Sequence, residues 1–275
     1  MKQMYIDLHT HIFPDKIAEK AIPKLASVIK REPSTDGTYK GLKKSMEEAA
    51  IDISVVLPTV TNLHQFDSII RFADQINEEF FKHPSQGILS LAGIHPMADN
   101  YAEQLQIIKD HGFAGLKIHP DYQGVFFNDI RCKRIIDKAA QLGLFVITHT
   151  GYDPYSPDLV HCTVPMILEV LRDVQPDNLV LAHMGNNLFY TDVENYLLGS
   201  DVYLDTAYGI SHIVPERLSA MIHKHGADKV LFGSDTPWTT QSEDVRFLNH
   251  LDLTEEEFEL VSHKNAMKLL HLNHN

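Results

Sequence analysis

Eight short apolar segments, at residues 4–9, 53–58, 87–94, 114–119, 144–149, 179–183, 201–206 and 230–235, recur along this chain, and histidine or aspartate stands at or just past the end of nearly every one. The segments are rich in Val, Ile, Leu, Phe and Tyr, and most of the stretches between them carry helical periodicity. Eight strands alternating with helices predict an α/β fold, a parallel (β/α)8 barrel. Runs such as Ile53 to Leu57 are apolar without alternation, as strands covered on both faces must be.

Helices are predicted at 67–82, 99–111, 129–142, 163–173, 215–225 and 255–271, the last broken into two. In the first, Ile69, Ile70, Ala73, Ile76, Phe80 and Phe81 form an apolar stripe opposite Arg71, Asp74, Gln75, Glu78 and Glu79. Gly112, Gly143, Gly199 and Gly226 fall where helices stop, and Thr254 with Glu257 has the spacing of a capping box. The first connection, residues 12–52, is long. Its Pro14, Pro23, Pro33 and the Ser34-Thr35-Asp36-Gly37 turn predict an irregular excursion followed by a helix around 41–50, either a lid or an inert insertion.

A chain of 275 residues, 44% hydrophobic and without a low-complexity linker, is expected to form one domain spanning 1–275. Its formal charge of -13, from 24 basic and 37 acidic residues, disfavours a nucleic-acid or anionic-membrane partner. The apolar runs are too short to span a bilayer. The opening Met1-Lys2-Gln3-Met4 leaves no room for a signal peptide, which points to the cytoplasm. Cys132 and Cys162 read as buried thiols rather than a disulfide. The expected partner is a small molecule, and self-association is left open.

His9 and His11 lie two residues apart, so an extended backbone turns both rings to one side, where they suit a single cation. Alone the pair is a weak signal. His149, His183 and Asp235 each end another apolar segment, and a barrel brings those ends together at its carboxyl-terminal mouth. Three imidazoles and a carboxylate would suit Zn2+ first, with Mn2+ or another divalent transition metal next. The bland reading of each histidine is a hydrogen-bonded core residue; their joint placement favours a site.

The motifs Ile6-Asp7-Leu8-His9-Thr10-His11 and Leu231-Phe232-Gly233-Ser234-Asp235-Thr236-Pro237-Trp238, with Asn265-Ala266 near the end, resemble the amidohydrolase superfamily over almost the whole chain. The resemblance is to the amidohydrolase 2 branch related to aminocarboxymuconate-semialdehyde decarboxylase. It implies a distorted TIM barrel and a metal held by His9, His11, His149 and Asp235. It also implies that His183 stays off the metal as an acid/base or carbonyl-polarising group, and that Asp235 exchanges a proton as well as binding. A bound cation lowers the pKa of its water from about 15.7 towards neutrality, and Asp235 and His183 would then handle the proton and the developing charge.

Around that centre, His95 and His119 end two further segments and either contact substrate or cap turns before proline. Lys117 shares the face of His119 and is a candidate to bind a substrate carboxylate, or else to support His119 or another acidic residue; the Gly-x-Lys-x-His-Pro form favours an unmodified lysine. Gln123, Tyr122, Tyr152, Tyr208 and Trp238 are candidates for the substrate rim or for packing. Asp205 supports the neighbourhood of Asp235 or simply makes a turn hydrogen bond. The leading expectation is a mononuclear metal hydrolase of a small amide, ester or lactone. The alternatives are a nonoxidative decarboxylase of an unsaturated or aromatic carboxylate, a two-metal phosphodiesterase similar to the TatD nucleases, and a noncatalytic binding protein.

Overall fold

The computed structural model describes residues 3–272; Met1 and Lys2, part of the segment on which the absence of a leader rests, and 273–275 lie outside them. The strands are β1 (Ile6–Thr10), β2 (Ile53–Val56), β3 (Gly87–Ser90), β4 (Ala92–Gly93), β5 (Gly115–Ile118), β6 (Phe145–Thr148), β7 (Leu179–Leu181), β8 (Tyr203–Asp205) and β9 (Val230–Leu231). All pair in parallel, β1 to β3 in one ladder and β4 to β9 in another. Beyond β9 the chain closes the ring on β1: Leu8 N donates to Phe232 O (2.9 Å), Asp235 N to His9 O (2.8 Å) and His11 N to Thr236 O (2.7 Å). The fold is a distorted (β/α)8 barrel, as expected.

Where one strand was expected at 87–94, two are found, and Asn77 is the reason. From the helix Phe66–Phe80 its side chain accepts the Ser90 N–H (2.7 Å) and donates to the Ser90 carbonyl (3.1 Å). Ser90 therefore has no main-chain groups left for the next strand, and the ladder resumes at Ala92 opposite Leu116.

Both faces of the strands are covered. Alternate residues such as Ile6, Leu8, Val55, Leu57, Leu91, Ile147, Val180 and Leu231 form one cluster with Met267 and Leu270 of the final helical segment. The intervening residues, among them Leu116, Val146, Leu181 and Leu204, pack on the surrounding helices through Ile108, Ile135, Ile167 and Leu218. At about 25 cal/mol per Å² this two-sided burial is the main force holding the barrel.

The first connection differs from the expected irregular excursion. It contains a helix, Asp15–Ile29, before the second helix Tyr39–Ala49. Pro23 lies inside the first helix, where it removes one backbone donor; the apolar face compensates, because Ala18 and Ile22 pack on Trp238 with Phe13, Leu25, Ala26, Ile29 and Tyr208 alongside. The capping box at Thr254 and Glu257 is formed. The final helix is not broken: a π-helical turn, Leu260–Lys264, joins Glu255–Glu259 to Asn265–Leu269. Asn265 there donates to the carbonyls of Ala227 and Val230 (both 2.7 Å), fastening the helix beneath β9. Among the described residues no helix is long and apolar enough to cross a membrane.

Candidate metal centre

His9 lies near the end of the wholly buried strand β1, and its Nδ1 is 2.8 Å from Asp205 Oδ2 at the end of β8. A carboxylate accepts, so the ring proton sits on Nδ1 and Nε2 presents a lone pair. His11 is fixed in the same sense by a carbonyl, Leu57 O, 3.2 Å from its Nδ1. Both Nε2 atoms face the same oxygen, Asp235 Oδ1, at 3.4 Å for His9 and 3.0 Å for His11. Three lone-pair donors thus converge with no proton assigned between them. Ligands of one cation bonded at about 2 Å stand about 3 to 3.6 Å apart, so the group fits a divalent ion.

The backbone is bent to make this meeting. Asp235 adopts φ 78°, a left-handed conformation that aspartate tolerates better than most residues. Gly233 lies so close beneath that a Cβ there would come 2.9 Å from His9 Cβ, which only glycine avoids. Burial pushes the Asp235 carboxyl up, but the His11, His9 and His183 imidazoles around it outweigh that and hold it below the usual range. Burial, reinforced by the Lys117 charge, holds His9 well below the histidine range, so it meets the aspartate as a neutral ligand.

His183 and His149 stand beside this triad. The His183 backbone N–H donates to Asp205 Oδ1 (2.8 Å), its Nδ1 donates to Ala207 O (3.0 Å), and its ring lies 5.1 Å from that of His9. Because the His183 proton is on Nδ1, its Nε2 accepts from His149 Nδ1 at 3.0 Å. Of the four ligands the resemblance implies, His9, His11 and Asp235 therefore meet directly. His149 reaches them through His183, with its Nε2 turned towards Asp153.

Lys117, on β5, is fully buried and its Nζ has no hydrogen-bond partner. Burial lowers its pKa to about 8 against the pull of Asp205, Asp235 and Asp153. His119 is stacked between Tyr122 (3.9 Å) and His149 (4.4 Å). Gln123 is a brace: its amide donates to Val60 O and Ile94 O and accepts the His119 N–H, which occupies it with main chain. His95 caps a turn, its Nδ1 accepting from Met97 N at 3.2 Å. Trp238 is packed under the first helix, whereas Tyr152 is half-buried and tied through its main chain to Asn187. Tyr208 lies under the Arg31 guanidinium. His64 is on an exposed turn, Leu63–Gln65.

Asp153 and Asp121 escaped the sequence reading, and both line this mouth. Asp153 Oδ2 is 3.6 Å from His119 Nε2 and 3.7 Å from His149 Nε2. Asp121 Oδ2 is 4.0 Å from His149 Nε2. The available signals were position alone: Asp153 four residues beyond His149, and Asp121 directly after His119-Pro120.

A parallel barrel whose mouth sets a His-x-His pair against an aspartate defines a metal-binding barrel enzyme. The chain belongs to the amidohydrolase family, whose pattern matches residues 6–272. No curated protein matches it. Among solved structures, 2,6-dihydroxybenzoate decarboxylase from Rhizobium is similar with a TM-score of 0.71 at 17% identity, over 98% of this chain and 99% of that one. For 5-carboxyvanillate decarboxylase from Sphingomonas paucimobilis the values are 0.72 and 13%, over 99% and 100%. For a dihydroxybenzoic acid decarboxylase from Polaromonas sp. JS666, with bound manganese and 2-nitroresorcinol, they are 0.71 and 16%, over 100% and 98%. At these identities the likeness is one of fold.

Proposed function

We propose that the protein is a metal-dependent, nonoxidative decarboxylase of a small hydroxylated aromatic or unsaturated carboxylate, akin to the aminocarboxymuconate-semialdehyde decarboxylase branch of its family. The observation that carries this reading is Lys117: a buried amine without a partner, beside the His9–His11–Asp235 triad, suits a substrate carboxylate. The decarboxylases of the same fold support it, as does the manganese bound in one of them.

A divalent cation on His9 Nε2, His11 Nε2 and Asp235 Oδ1, Zn2+ or Mn2+ by donor chemistry, supplies Lewis-acid stabilisation of a substrate oxyanion. Lys117 pairs with the carboxylate and fixes the ring. Asp235 takes the proton of the substrate hydroxyl and returns it to the carbon as the carbon–carboxyl bond breaks. The electron pair of that bond stays on the ring, the returned proton fills it, and CO2 leaves, so no external acid is consumed. His183, its proton held on Nδ1 by Ala207 O, keeps its Nε2 as an acceptor and fixes His149.

The second reading is hydrolysis of a small amide, ester or lactone, favoured by the family to which the chain belongs. There Asp235 would take a proton from water instead. A panel of 13C-carboxyl aromatic and unsaturated acids, run beside amides and lactones, separates the two. Labelled CO2 with a stoichiometric decarboxylated product is expected; ring opening or amide cleavage without CO2 would move the protein to the hydrolases.

A further inference from the structure

His9, Lys117, His183 and Asp235 each expose less than a tenth of their surface, so a substrate reaches them only when a covering segment moves. The first connection supplies such a segment. Its two stems are anchored in the outer core of the barrel, through Ile12 on one side and Leu42 and Met46 on the other. At the base, Phe13 N donates to Gly37 O at 2.8 Å. Gly37 takes φ 70°, and a Cβ there would collide with Ile22. The apolar residues between the stems belong to neither barrel core: Ala18, Ile22, Leu25, Ala26 and Ile29 form a separate small cluster with Trp238, Phe13 and Tyr208. The helix Asp15–Ile29 buries two of its fifteen residues, whereas Phe66–Phe80, of the same length, buries five.

A few polar contacts tie this segment to the loops that carry the site. Arg31 Nη1 donates to Ser211 Oγ at 2.9 Å, and its guanidinium lies 5.0 Å from the centre of the Tyr208 ring. Ser34 N donates to Pro237 O at 2.8 Å, and its hydroxyl to Thr239 O at 2.6 Å. Pro237 is two residues beyond Asp235, and the Tyr208 ring is 6.5 Å from that of His183. The loop that carries Asp153 and Tyr155 also borders the site, but it is clasped in place. Gly151 N donates to Cys162 O, Phe127 N donates to His161 O (both 2.9 Å), and Asp121 accepts from His161 and Ser156.

We propose that residues 14–36 are a flap that opens about Phe13 and Gly37 to admit substrate and closes over the metal centre, latched by Arg31 and Ser34.

Opening exposes only the small cluster and breaks the latch contacts, while both barrel cores stay buried. It therefore costs less than unfolding and belongs to the low end of local stability. Closure shuts water out from around the ion and Lys117, which strengthens their hold on a bound carboxylate. The inference rests on the His9–His11–Asp235 triad being the reaction centre, as the proposed function has it, and is independent of which bond is broken.

The test joins three measurements on the full chain: amide hydrogen exchange, carbethoxylation of His183 by diethylpyrocarbonate, and acrylamide quenching of Trp238, the single tryptophan. Amides of residues 19–29 are expected to exchange at least about 100-fold faster than those of Phe66–Phe80. Arg31→Ala should speed both that exchange and His183 modification about 10-fold, the worth of a hydrogen bond made by a charged group, and should raise Trp238 quenching alongside. Unchanged exchange in Phe145–Thr148 reports that the variant barrel is intact. Exchange in the flap as slow as in Phe66–Phe80 overturns the inference. Flap exchange that rises in Arg31→Ala without faster His183 modification overturns it equally, because the segment would then move without governing access. Neither result alters the bond assignment, which the labelled-acid panel decides, and a failure of that panel leaves these three measurements standing.

Discussion

Asp205 Oδ2 lies 2.8 Å from His9 Nδ1, and this bond decides which nitrogen of His9 faces Asp235. The other oxygen of Asp205 accepts the backbone N–H groups of His183 (2.8 Å) and Ala207 (3.1 Å), so one buried carboxylate orients both histidines. Asp205→Asn keeps the shape but turns an amide donor or a weaker acceptor towards His9. Metal affinity is expected to fall about 10- to 100-fold, as when such partners are lost elsewhere. Competition against a chromophoric chelator measures it; an unchanged affinity would show that His9 needs no such fixing.

On the proposed reading, Lys117 is expected to set the alkaline limit of turnover. Burial depresses its pKa to about 8, so the cation that pairs with a carboxylate disappears above that value. The sign for folding is opposite: between about 8 and 10.5 the unfolded lysine still binds a proton that the folded one has released, so its burial penalty relaxes as pH rises. Lys117→Gln should lower kcat/KM about 10- to 100-fold, the worth of a hydrogen bond to a charged group, and should remove the alkaline limb from the pH profile. An identical limb in the variant would assign it to another group.

Much of this was legible beforehand because the barrel is governed by burial. Strands covered on both faces must be apolar throughout, so Ile53–Val56 and Phe145–Thr148 announce themselves, and the residues that follow such runs necessarily gather at one mouth. The helix Asp15–Ile29 was hidden by Pro14 and Pro23, whose local preference is overridden by packing on Trp238. The break after Ser90 depends on Asn77, a residue that reads as helix surface. Asp121 and Asp153 were invisible because carboxylates in loops are usually solvated. The direction of the His149 ring follows from the His183 tautomer, which in turn depends on Ala207 O, a main-chain contact no motif records.

Asn77 carries a stability prediction. Asn77→Ala strands the Ser90 N–H and C=O in a buried position, and each orphaned group costs about 1 to 3 kcal/mol. Urea unfolding should show a loss of about 2 to 4 kcal/mol with little change in slope. A loss below about 0.5 kcal/mol would mean that the two ladders join when the amide is removed.

The two thiols are expected to be silent. Burial pushes the Cys132 thiol up to about 12 and Cys162 well above its usual range, and neither is exposed. Reaction with an aromatic disulfide at pH 8 should appear only after denaturant is added. Fast labelling of the native protein would contradict the packing around both residues.

The central claim is that His9, His11 and Asp235 hold a cation the reaction needs. Its most direct test is turnover of a labelled carboxylate substrate, found in the substrate panel, by protein stripped with a chelator and then reloaded with Mn2+ or Zn2+, with circular dichroism recorded throughout. Stripping should abolish CO2 release without unfolding the barrel, reloading should restore it, and His11→Ala should stay inactive at metal concentrations that saturate wild type. Full activity in the metal-free protein would contradict the account.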